Sequence, residues 1–420
     1  MLTKRSAFSE SVDQDVDQIL EEIKSRGDKA IQQYAKKFDH VDLDATDFLV
    51  NASEIEAAAN GLHKETKEAI ISAHQNIQDF ANQRKPIPWR HSPRTGVQIG
   101  EEYRPFERIA AYIPGGSAPL VSTVLHTATF AQSAGVPEVV ISTPPNKDKS
   151  VHPAILYAAS IAGVSEIYKL GGVYAIGALA YGTETINKVD KIVGPGNAYV
   201  TAAKRKVYGT VSLDSVAGPS EVVVVADEGA NPAFIAADLL AQAEHGSGNE
   251  IAILLSTSDS IIKAVQEEVN DQIGKRSRRD IMQRVVDNRT YLIQVTDIHQ
   301  AITIANLLAP EHLELLFSGA DELIGEIKNA GAVFVGPWSP EAVGDYIAGP
   351  SHVLPTGGAA KRFSGLAVSD FYKKISVIKY NQPALKREFN MLKALTDLEE
   401  LEGHKHSVAV RLTTPNDSGE

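Results

Sequence analysis

The chain has 420 residues and no cysteine, which excludes disulfides, thiolate metal sites and cysteine-nucleophile catalysis. Its formal net charge of -12, with 43% hydrophobic and 22% charged residues, is ordinary for a globular protein and argues against nucleic acid as a partner. Residues 1–17 lack the apolar core of a signal peptide, and no apolar run approaches the roughly 20 residues that cross a bilayer, so a cytoplasmic protein of two major domains is expected.

Helical spacing runs through residues 10–35 and 53–83, with Ser9 and Ser53 as N-caps and Glu56 completing a capping-box pattern. From residue 108 the pattern changes to short β-branched runs alternating with alanine-rich helices. Strands are expected at 108–114, 138–143, 166–170, 191–193 and 211–213, with a helix over 122–134. The alternation then restarts, with strands at 221–226, 251–256, 291–295, 313–317 and 332–335. This predicts mainly parallel sheets in two similar α/β units, the first hundred residues helping to complete the second. Beyond Asp370 a strand at 376–380, a helix over 386–402 and a short strand at 407–412 are expected. That tail is too small for its own core and should pack on a neighbouring domain or subunit.

Three glycine-rich turns follow predicted strands: Ile113-Pro114-Gly115-Gly116, Leu170-Gly171-Gly172-Val173 and Val193-Gly194-Pro195-Gly196-Asn197. Such turns let backbone amides approach a phosphate at a helix N-terminus. None matches the dinucleotide fingerprint, because Tyr199 stands where the third glycine belongs, and no Gly-Lys-Ser/Thr phosphate loop is present. Each alone is also a plain strand-to-helix turn. Three in one half of the chain point to nucleotide or ligand contact there.

Imidazoles, carboxylates and one amide recur along the second half. Gln242 and His245 lie three apart near the end of a predicted helix and share one face, as metal ligands or as a hydrogen-bonded helix end. Asp345 follows a Pro/Gly-rich turn, where a carboxylate serves a site or forms an Asx turn. His404 follows Gly403 near a helix end, where a cation also suits the dipole. Glu311-His312 follows Ala309-Pro310 and precedes an apolar strand, either exposed and idle or placed for proton transfer. His352 and Glu399 carry no local signal. Nitrogen and oxygen donors with a separate acid/base pair are what a metal-dependent enzyme needs.

Together these segments closely resemble histidinol dehydrogenases over residues 20–412. The strongest stretch is Lys188 to Arg205, containing Val193-Gly194-Pro195-Gly196-Asn197-Ala198-Tyr199. Ala217-Gly218-Pro219-Ser220-Glu221, Gln242 to Gly246, Ala309 to Glu314 and His352-Val353-Leu354-Pro355-Thr356 match in order. The resemblance implies two Rossmann-like α/β domains with parallel sheets, plus small helical N-terminal and C-terminal extensions. Residues 1–20 would form the first extension, and 21–105 with 220–368 the domain carrying most of the site. Residues 106–219 would form the NAD-contacting domain, and 369–420 a tail reaching the partner subunit.

The resemblance also implies one zinc ion per subunit, held by Gln242, His245, Asp345 and His404, with His404 from the partner of a homodimer with shared active sites. The reaction implied is a four-electron oxidation of L-histidinol through the aldehyde to L-histidine with two NAD. His312 would take the alcohol proton and Glu311 would activate water. Ser220, His352 and Glu399 would bind the substrate with His312 and the metal ligands, and Tyr112, Tyr174 and Asn197 would contact NAD. Independently, a chain without thiols has no thiohemiacetal route, so a second oxidation passes most simply through a hydrated aldehyde.

Two departures from the family pattern stand out. Tyr174 in Gly171-Gly172-Val173-Tyr174 replaces an NAD-contacting glutamine, so contact there should differ, since a phenol lacks the amide's paired donor and acceptor. Leu125-His126-Thr127-Ala128-Thr129-Phe130 lacks the usual methionine and proline and reads as a subgroup difference within the NAD lobe, away from the metal site. A paralogue oxidising another small polar alcohol, such as a sulfonated diol, would be expected to lose Ser220, His352 or Glu399. A non-catalytic two-lobed binding protein would have no reason to keep Glu311-His312 with all four metal positions.

Overall fold

The computed structural model describes residues 10–115, 118–215 and 218–413. Ser9, Gly116 and Ala217, used above, and the first nine residues of the N-terminal extension lie outside them. Two compact units are present: one runs to Arg84 and again from Phe106 to Phe371, the other takes Lys85–Pro105 and the chain from Tyr372.

In chain order, β1 (Trp89–Arg94) and β2 (Val97–Pro105) belong to the smaller unit. The larger unit holds one sheet of β3 (Arg108–Tyr112), β4 (Glu138–Ser142), β5 (Glu166–Tyr168), β6 (Lys191–Val193) and β7 (Ser212–Leu213). Its second sheet has β8 (Glu221–Ala226), β9 (Ile251–Ser256), β10 (Thr290–Gln294), β11 (His312–Leu316) and β12 (Ala332–Val335). Strand β13 (Tyr372–Tyr380) returns to the smaller unit.

Both five-stranded sheets are parallel throughout. Their orders, β5-β4-β3-β6-β7 and β10-β9-β8-β11-β12, are one doubly wound arrangement used twice, and in each the winding reverses beside the central strand. Parallel strands covered on both faces need continuous apolar runs. Accordingly Val222, Val224 and Ala226 of β8 face one core with helices 232–243 and 259–273, while Val223 and Val225 face another with helix 298–308.

The N-terminal helices pack with the first sheet, not with the second, where the alternation places the first hundred residues and the resemblance places 21–105. Val16, Ile19, Leu20 and Ile23 of helix Glu10–Arg26 share a core with Val173, Ile176 and Ala203. Helices Ala52–Gly61 and Lys64–Gln83 pack on Pro153–Ile161 and Val121–Ser133. Asn51, rather than Ser53, caps the third helix: its side chain accepts from Glu54 N–H and the Glu54 carboxylate accepts from Asn51 N–H, both at 3.0 Å.

The smaller unit is an antiparallel sheet, β1-β2-β13, followed by helices Gln382–Leu398 and Glu402–Thr413. The strand expected at 407–412 is therefore helical, one turn of 3.6 periodicity having been read as alternation. Strands β1 and β2 were not expected from sequence, because Trp89–Arg94 is exposed along its whole length and contains Pro93. Ile378 and Leu398 in this unit are 71% and 80% exposed. No helix among the described residues is long and apolar enough to cross a membrane.

The glycine turn after β6 is held from below by a buried ion pair. Asp214 accepts from Gly194 N–H at 2.8 Å and pairs with Lys204, whose ammonium also donates to Gly194 O at 2.8 Å. Removing one member leaves a buried charge alone. Asp214→Ala should cost about 3–5 kcal/mol and lower the thermal unfolding midpoint by roughly 3–6 °C, read in a melting scan. An unchanged midpoint would contradict this.

Candidate active site

The second sheet assembles the site at the amino ends of two adjacent strands. Glu221 opens β8 and His312 opens β11, with His312 in register with Val222. Ala309, in the left-handed region at φ 50°, turns the chain into Pro310-Glu311. Helix 232–243 follows β8 and returns antiparallel to it, so its last turn brings Gln242 to this edge, and His245 follows the C-cap Glu244. The short helix 341–346 supplies both Glu341 and Asp345, four apart on one face. Asp345 is thus helical rather than on the expected loop.

His312 is buried among acids. Its Nδ1 lies 3.4 Å from Gln242 Oε1, 3.6 Å from Glu341 Oε1 and 3.9 Å from Glu311 Oε2, and its Nε2 lies 3.6 Å from Asp345 Oδ1. Burial disfavours the imidazolium, but Glu341, Glu311 and Asp345 outweigh it and push His312 up to about 10. Burial raises Glu341 to about 7, against the pull of His312. It raises Glu311 as well, whose Oε2 accepts from Glu221 N–H at 3.1 Å. Asp345 is half-buried, and although desolvation raises it, the imidazolium beside it keeps it below the usual carboxylate range.

Around Glu311 a cavity of about 180 Å3 is lined by Ser220, Glu250, His352 and the Gly194-Pro195-Gly196 turn. His352 is held neutral, burial lowering it to about 4, and its Nε2 is buried with no partner among the described residues. Its ring stacks on His126 at 4.6 Å. The departure at Leu125–Phe130 therefore reaches the site through His126, and is not confined to a cofactor lobe.

A larger cavity, about 710 Å3, lies beyond the carboxyl ends of the first sheet's strands, where Tyr112, Gly172, Tyr174 and Asn197 meet helix 10–26. Open α/β sheets bind ligands at this edge. The turn 194–197 connects the two cavities, Gly194–Gly196 lining the smaller and Asn197 the larger. Asn197 caps helix 198–207, its Oδ1 accepting from Val200 N–H at 3.0 Å. The Gly171-Gly172 turn is not an open phosphate nest. Gly171 N–H donates to Tyr174 Oη at 3.1 Å and Gly172 N–H to Tyr112 Oη at 2.9 Å.

His404 and Glu399 belong to the smaller unit, where both are exposed. His404 sits in the first turn of helix 402–413, where the dipole disfavours a cation, so the local alternative of a C-terminal dipole partner does not hold.

Could these residues hold a metal? Donor atoms of His245, Glu341 and Asp345 lie within 4.8 Å of one another, and Gln242 Nε2 is 3.2 Å from His245 Nδ1. Imidazole, carboxylate and amide oxygen suit a divalent ion such as zinc, so the donor set fits. Ligation by both Gln242 and His245 requires the amide to turn its oxygen from His312 toward His245. Glu341 was not singled out from sequence. Its signal was the i, i+4 spacing with Asp345 behind Pro340.

The histidinol dehydrogenase family model matches residues 2–412. Histidinol dehydrogenase 2 of Trichormus variabilis is 46% identical over 397 residues, covering 94% of this chain and 92% of that protein. Histidinol dehydrogenase of Heliobacterium mobile is 43% identical over 411 residues, covering 98% and 96%. The crystal structure of histidinol dehydrogenase from Elizabethkingia anophelis superposes with a TM-score of 0.93 at 42% identity, covering 97% of this chain and 93% of that one. With its two doubly wound sheets and buried Glu311-His312 pair, the chain belongs to the histidinol dehydrogenase family, oxidoreductases of the dehydrogenase class that serve histidine biosynthesis.

Proposed function

We propose that the chain oxidises L-histidinol to L-histidine through L-histidinaldehyde, with two NAD in turn and one zinc ion per subunit. The observation that carries this is the buried Glu311-His312 pair, set beside His245 and Asp345 and joined by the 194–197 turn to a dinucleotide-sized cavity. Gln242, His245 and Asp345 would hold the zinc with His404 of the partner subunit, and bound zinc supplies an anchor for the substrate's imidazole and amine nitrogens.

In the first oxidation the alcohol carbon gives a hydride to NAD and His312 takes the hydroxyl proton. His312 must be neutral to do so. Asp345, one of the three carboxylates that keep it protonated, loses that influence when committed to a cation. Water then adds to the aldehyde carbon, Glu311 taking its proton while His312 returns the alcohol proton to the aldehyde oxygen. The hydrate so formed gives a second hydride to a second NAD, and His312, neutral again, accepts its hydroxyl proton. The overall change consumes one water and two NAD, and releases two NADH and three protons.

Ser220 and the neutral, unpartnered His352 would meet the substrate's polar groups, with Glu399 of the partner subunit. The smaller cavity favours a cationic amino alcohol over a sulfonate: Glu250 and Glu311 line it, and Lys204 is paired with Asp214. A homodimer agrees with the apolar surface of the smaller unit, where Met391, Leu395 and Leu398 stand exposed along one helix.

The test is NADH formation from L-histidinol by zinc-loaded protein, before and after chelation. Two NADH per histidinol, lost with the metal and restored by zinc, is the expected result. Zinc bound without turnover would move the reading to a related alcohol.

A further inference from the structure

We propose that Asp39, held in place by Tyr174, selects NAD against NADP by accepting from a ribose hydroxyl and rejecting a phosphate at that position. This rests on the reading of the larger cavity as the NAD site. Tyr174, where the family pattern has glutamine, lines that cavity but is not a replacement for the amide. It is 1% exposed, its hydroxyl donates to Asp39 Oδ2, and it accepts from Gly171 N–H. A phenolic oxygen with one proton given and one lone pair engaged has little left for a ligand. What the tyrosine does is fix a carboxylate.

Asp39 is half-buried and lines the cavity. Its Oδ1 accepts no hydrogen bond among the described residues, so it is available to a ligand donor. Next to it, the Gly171 and Gly172 amides at the start of helix 172–181 are already bonded to Tyr174 and Tyr112. The corner therefore offers a fixed carboxylate, with these two glycine amides already engaged. A phosphate meets repulsion from the carboxylate there, whereas a vicinal diol finds an acceptor, much as an acidic residue accepts from the ribose in other dinucleotide folds.

The other charged groups facing this cavity are Asp15 and Lys37. Lys37 would attract a phosphate, but it is exposed with its Nζ 5.0 Å from the Phe38 ring centroid, where water and salt screen it. Phe38 is itself stacked on Tyr34 at 5.5 Å and 48% exposed, which gives an aromatic surface for a base beside the carboxylate.

Calorimetric titration of the zinc-loaded protein with NAD and with NADP tests this without turnover. The parent should bind NAD at least tenfold more tightly than NADP, and Asp39→Asn should narrow that ratio by about tenfold or more, chiefly by tightening NADP. Tyr174→Phe, which frees the carboxylate without removing its charge, should weaken NAD about threefold to tenfold and keep the preference. An unchanged ratio in Asp39→Asn overturns the proposal alone. Should that variant not fold, unchanged NAD affinity in Tyr174→Phe overturns it. No NAD binding by the parent overturns the cofactor reading and the proposal with it.

Discussion

Glu311→Gln should leave the first hydride transfer within about tenfold of the parent rate and slow oxidation of the aldehyde by roughly 10²–10⁴-fold, the usual worth of a positioned base. The amide can still accept from Glu221 N–H, the bond that Glu311 makes at 3.1 Å, so the backbone should stay in place. What is lost is a carboxylate that can take a proton from water, in a site where burial already raises its proton affinity. His312→Asn should slow both oxidations by a similar factor, because the same imidazole takes a proton in each. Single-turnover measurements started from the alcohol and from the aldehyde separate the two steps. Equal losses at both steps in Glu311→Gln would end the division of labour between the two residues.

His245→Asn should weaken zinc binding by more than about 100-fold, since the proposed ligand loses its imidazole nitrogen and effects of about 10–100-fold follow even from changes to groups that only orient a ligand. Glu341→Gln is the informative contrast. Its carboxylate lies with those of the metal group, yet also 3.6 Å from His312 Nδ1. The expected result is less than about tenfold loss of zinc affinity with a clear fall in kcat, as befits a carboxylate that orients the base. Competition with a chelator measures the first quantity and steady-state kinetics the second. Loss of zinc equal to that of His245→Asn would make Glu341 a ligand, and would change the donor set read from the resemblance.

Much of the fold was legible because the second sheet's inner strands β9, β8 and β11 are buried on both faces. Val222 to Val225 and Ile251 to Leu255 must be apolar at every position, and such runs stand out in a sequence. Strand β1 was not legible because nothing in Trp89–Arg94 is buried. Its partner β2 is in turn paired along its whole length with Tyr372–Tyr380, some 270 residues away. The N-terminal helices were recognisable as helices, but their apolar faces did not say which sheet they would cover.

Residue types and local spacing by themselves determined the α/β alternation, the absence of thiol chemistry and the presence of an imidazole, carboxylate and amide set with the Glu311-His312 pair. Only the tertiary structure decided that Glu341 joins that set, that His126 stacks on His352, and that Tyr174 holds Asp39. The reason is physical. A side chain's chemistry is carried by its own residue, but its proton affinity and its partners depend on burial and on charges brought near by strand order. Here the order β10-β9-β8-β11-β12 sets residues 222 and 312 side by side, a proximity that no local pattern encodes.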